Sequence, residues 1–62
     1  MQLRKRVYSK EKAENLQDIV ERYEGVYWCR STPGVISYEL TAILYNNCPS
    51  ETIDSLYNIG FR

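Results

Sequence analysis

"VISYELTAILY", residues Val35 to Tyr45, is the stretch on which the fold of this chain depends. Read with a period of two, Ile36, Tyr38, Leu40, Ala42 and Leu44 share one face, and Val35, Ser37, Glu39, Thr41 and Ile43 share the other. Read with a period of 3.6, Thr32 becomes an N-cap and Pro33 the first helical residue. Ile36, Leu40, Ile43 and Leu44 then fall on one side. The β-branched and tyrosine content favours the strand.

Upstream, "VYWCR" (Val26 to Arg30) is also strand-like in composition, and "TPG" (Thr32 to Gly34) supplies a turn. In that turn Pro33 fixes φ at the second position and Gly34 takes positive φ at the third. A loop of two residues would pair Thr32 with Val35, Cys29 with Tyr38 and Trp28 with Glu39. Trp28, Arg30, Glu39, Thr41 and Ile43 would then line one face, with Tyr27 and Cys29 on the core side. A loop longer by one residue would turn Trp28 inward, since a single-residue slip exchanges the two faces.

Further out, "KEKAENLQDIVERYEG" places Ala13, Leu16, Ile19, Val20 and Tyr23 at three- and four-residue spacing behind a Ser9 N-cap. Glu14, Asp18 and Glu21 take the outer face, and Gly25 is the expected C-terminal stop. "LRKRVY" (Leu3 to Tyr8) reads as a short strand with Leu3 and Val7 on one side and Arg4 and Arg6 on the other. Past "NNCP", Ser50 caps "ETIDSLYNIGF", with Ile53, Leu56 and Tyr57 facing inward and Gly60 ending the helix. The order β-α-β-β-α is that of an α+β, ferredoxin-like two-layer sandwich with an incomplete, three-stranded antiparallel sheet.

The span from Ala13 to Arg62 resembles the heavy-metal-associated domain pattern. That pattern has a helix closing on Gly-Val (Gly25-Val26), two strands around a turn, and a capped helix closing on Gly plus an aromatic (Gly60-Phe61). The resemblance implies the topology and argues against metal transfer. The family holds soft metal through Cys-x-x-Cys in the loop before the first helix, and the matching loop here, "YSKEK", contains no thiol.

Composition narrows the functional classes. Sixty-two residues with zero formal charge and no histidine form one small domain, residues 1–62, that buries only about 60% of its unfolded surface. Without histidine there is no Ser-His or Cys-His pair, and with only two cysteines no ordinary zinc ligand set; the three glycines are widely separated turn residues and form no phosphate loop. No catalytic residue, metal ligand or cofactor is expected. Cys29 reads as a small buried apolar residue. There is no apolar leader or membrane-length run, so the expected location is the cytoplasm, where thiols stay reduced.

The leading expectation is a non-catalytic, regulatory protein-interaction module, of the sort that phages, plasmids and regulatory operons encode. It would dock a partner protein through the sheet surface at Trp28, Arg30, Glu39 and Ile43. It would also form a homodimer, because three strands leave two open edges. The alternative is a small DNA-binding repressor of ribbon-helix-helix type using the basic strand Arg4, Lys5 and Arg6.

Overall fold

The computed structural model describes residues Met1 to Arg62. Its elements are β1 (Gln2–Val7), α1 (Lys10–Glu21), β2 (Val26–Pro33), β3 (Tyr38–Leu44) and α2 (Ser50–Asn58). The three strands form one antiparallel sheet in the order β1-β3-β2. This is the ferredoxin-like α+β layout. A split β-α-β unit places β1 and β2 parallel to each other, with β3 running antiparallel between them. Residues Tyr38–Leu44 are strand, not helix.

Each element begins for a local reason. Ser9 sits in extended backbone (φ −141°, ψ 136°), and its side chain accepts from the Lys12 amide, capping α1. At α2 the sequence reading is corrected. Pro49 holds the N-cap position without a side-chain bond, and Ser50 is already helical. The first turn is tied down instead by Thr52, whose hydroxyl donates to the Glu24 carbonyl at 2.7 Å. That bond fastens α2 to the loop leaving α1.

The hairpin register differs from the expected one. Trp28 pairs with Ile43, Cys29 with Ala42, Thr32 with Glu39 and Pro33 with Tyr38. The Gly34 amide donates to the Ser37 carbonyl at 2.7 Å, so the chain reverses at Val35 and Ile36 rather than at Pro33-Gly34. Gly34 has no positive φ. A Pro-Gly corner matches a type II turn, whose twist is opposed to that of a hairpin, and the chain turns two residues later. Ile36 is therefore solvent-exposed at the tip, not on the core face. The register shift is an even number of residues, so the assignment of Trp28, Arg30, Glu39, Thr41 and Ile43 to one face is unchanged.

A β-bulge between Val26 and Trp28 produces a second correction. The extra residue lets Val26 and Cys29 both point to the helices while Tyr27 and Trp28 both point away. Tyr27, expected on the core side, is 61% exposed.

The core lies between the sheet and the helices. Leu3 and Val7 from β1, Ala13 and Val20 from α1, Cys29, Leu40 and Ala42 from the sheet, and Leu56 and Phe61 from the C-terminal segment form one buried cluster. Five expected inward helix positions depart from the pattern, Leu16 and Tyr23 being only partly buried. Ile53 is only half-buried, while Ile19 and Tyr57 are exposed, because the narrow sheet covers only the central stripe of each helix. Thr52, one turn before Leu56, is buried instead. Phe61 closes the bottom of the core. Its amide bonds the Leu56 carbonyl at 2.9 Å, and the next amide, of Arg62, bonds the Arg4 carbonyl on the outer edge of β1 at 2.8 Å.

Candidate functional site: the uncovered face of the sheet

Both helices pack on one side of the sheet and leave the other bare. The register places three cross-strand rows on that bare face. Gln2, Ile43 and Trp28 form the first row. Arg4, Thr41 and Arg30 form the second, and Arg6, Glu39 and Thr32 the third. Adjacent strands lie about 4.8 Å apart and same-face neighbours along a strand about 6.7 Å apart, so Arg4 and Arg30 flank Thr41 at roughly 10 Å from each other. Thr41 is buried beneath them although it points away from the helices.

Two sets of residues that the sequence treats as rival sites are thus one surface. Trp28, Arg30, Glu39 and Ile43 share the face with Arg4 and Arg6. Lys5 does not. It points to the helical side, half-buried, with its ammonium running past Gly60. The bulge adds Tyr27, whose ring meets that of Tyr45 edge-on at 5.2 Å between centroids. Sequence reasoning missed both tyrosines. A bulge leaves no mark in alternating hydrophobicity, and Tyr45 lies just past the last paired residue.

The electrostatics of the face are one-sided. Arg4, Arg6 and Arg30 stand against Glu39 alone, while the other seven carboxylates lie off this face, on the helices and their adjoining loop. The only ion pair in the molecule, Arg22 with Asp18 at 3.1 Å, is on α1. Arg4 donates to the Gln2 side chain at 3.2 Å, and Arg30 lies over the Trp28 ring at 5.6 Å. All three face guanidiniums therefore lack a carboxylate partner.

No cluster of three or more His, Cys, Asp or Glu side chains could hold a metal ion. Cys29 is fully buried under α1, and burial, reinforced by the Glu21 charge, pushes its thiol from the ordinary 9.0 up to about 11. The folded state therefore keeps a proton that the unfolded chain releases between those two values. Stability from this source is complete below pH 9 and falls by about 2–3 kcal/mol as pH rises to 11. Urea midpoints measured at pH 8, 9.5 and 11 are expected to drop more steeply in the parent chain than in Cys29→Ala. Equal slopes would show that Cys29 contributes nothing. At pH 8 a thiol reagent should modify Cys48, which is only partly buried, well before Cys29.

No protein-family model, curated protein or solved structure matches the chain. No helix is long and apolar enough to cross a membrane.

Proposed function

We propose that this domain is a non-catalytic binding module that engages a macromolecular partner across the uncovered sheet face. The observation that carries this reading is Trp28. It is the chain's sole tryptophan, 44% exposed on the bare face with Arg30 against its ring. Tryptophan and arginine are the residue types that most often supply binding energy at interfaces. The topological likeness to heavy-metal-associated domains adds no metal function, because Tyr8 to Lys12 offers no thiol ligand.

Self-association, expected from the open edges, has less support in the details. The Gly34–Ser37 bond fixes the alternation of the ladder, so Cys29, Ser31 and Pro33 turn their backbone groups to the outer edge of β2. There the Cys29 carbonyl accepts from Gln17 at 2.9 Å, and Pro33 has no N–H to offer. On the β1 edge, Arg62 occupies the Arg4 carbonyl. A symmetric face-to-face dimer would bring two arginine clusters together. The ribbon-helix-helix alternative needs β1 to pair with a second copy and residues 33–46 to be helical, whereas β1 pairs with β3.

Two experiments test this reading. Sedimentation at micromolar concentration is expected to show a single 7.3 kDa species, and a dimer would return the edges to consideration. Partners captured by the parent chain should be lost with Trp28→Ala and with Arg30→Glu. A partner held equally by all three would place binding elsewhere on the molecule.

A further inference from the structure

We infer that the partner is a single-stranded nucleic acid laid across the bare face, a conclusion that rests on the binding-module reading above. At protein interfaces a central arginine sits within an apolar, aromatic-rich middle. Here that middle is polar, with Thr41 at the centre between Arg4 and Arg30. Trp28, Tyr27 and Tyr45 gather at one end, beside the Gln2–Ile43 pair. A protein partner would have to desolvate two central guanidiniums, whereas a phosphate backbone supplies their counter-charge directly.

The aromatic end completes the fit. Exposed rings beside unpaired arginines form the combination that binds single strands, because every base has a π-face to stack and every linkage carries a charge. The bases of a duplex are already stacked on one another and cannot lie on Trp28 in this way. The molecule as a whole is neutral, so attraction is local. Away from this face, seven carboxylates stand against Lys5, Lys10, Lys12, Arg22 and Arg62, so the net negative charge lies off the sheet surface and a strand is drawn to the face. Within the face Glu39 alone opposes binding.

Trp28 makes the test direct, since its emission reports only on this surface. The intact domain is titrated at low salt with a single-stranded oligothymidylate, a single-stranded oligouridylate, a DNA duplex of equal length, and a polyglutamate peptide, following Trp28 emission and the anisotropy of a labelled probe. Quenching by the single strands is expected, with weaker duplex binding. Trp28→Ala should weaken binding roughly 5- to 100-fold. Arg4→Glu, at an exposed position, should weaken it for every sequence and lower the salt slope by about 0.7 or more. Glu39→Gln should tighten binding severalfold, and Arg22→Ala on α1 should leave it unchanged.

Failure of both single strands to perturb Trp28 or to bind at low salt would overturn the inference. So would tightening by Arg4→Glu, or weakening by Glu39→Gln. Quenching by polyglutamate with none from the oligonucleotides would also overturn it, while leaving the binding-module reading intact with an acidic protein as partner. Oligonucleotide binding that ignores both Trp28→Ala and Arg4→Glu would overturn the two together.

Discussion

Phe61→Ala is expected to leave the chain unfolded at room temperature. A single core in a chain this short rarely supplies more than about 3–5 kcal/mol of stability, and truncating a buried phenylalanine costs about 3–5 kcal/mol. Phe61 is the largest of the fully buried side chains. The cost is compounded by its position, because the residue is held by the Leu56 carbonyl on one side and the Arg62–Arg4 bond on the other. Loss of the ring frees the segment that joins α2 to the edge of β1. Circular dichroism should show collapse of both helix and strand signals, with Phe61→Leu retaining a cooperative melt. A Phe61→Ala protein melting within about 1 kcal/mol of the parent would mean that the ring is not part of the core.

Gly25→Ala is the second large effect. Gly25 has φ +88°, and a Cβ there would lie 2.7 Å from the Cys48 Sγ and the Pro49 Cδ and 2.8 Å from the Cys48 Cα. Backbone strain of this kind costs about 1–3 kcal/mol, and overpacking adds about 1–3 kcal/mol. The Gly25 carbonyl also accepts from the Tyr45 amide at 2.9 Å, so the loop cannot retreat without breaking a bond that ends β3. Gly60→Ala provides the comparison. Its φ of +103° is equally unfavourable, but the nearest atom to its Cβ is the flexible end of Lys5. Urea denaturation should show the Gly25 variant losing at least twice the stability of the Gly60 variant. Equal losses would mean that the Cys48–Pro49 backbone yields easily.

Much of this architecture was legible in the residues, and the reason is periodicity. Ala13 and Val20 on α1, and Leu40, Ala42 and Leu44 on β3, declare their buried sides through spacing alone, and Ser9 declares a helix start. Periodicity fixes which face a residue takes but not which residue lies opposite it. The hairpin register was therefore missed by an even number of positions while the faces came out right. Val35 and Ile36 concealed the turn because nothing in their chemistry marks a reversal. Tyr27 escaped because one inserted residue breaks the alternation locally. The joint site was divided in two for a related reason: Arg4 and Trp28 are far apart in sequence, and only the placement of β3 between their strands puts them on one surface.

The chain turns back through Val35 and Ile36 beyond the last rung of the ladder, with Val35 wholly in solvent. Nothing in the hydrophobic interior depends on the identity or number of residues there. Doubling the length of such a connection costs only about 0.6 kcal/mol. A peptide tag, a fluorophore attachment point or a new pair of chain ends could be introduced at this tip without disturbing either layer, so the domain can be tethered or extended from the end farthest from its aromatic cluster.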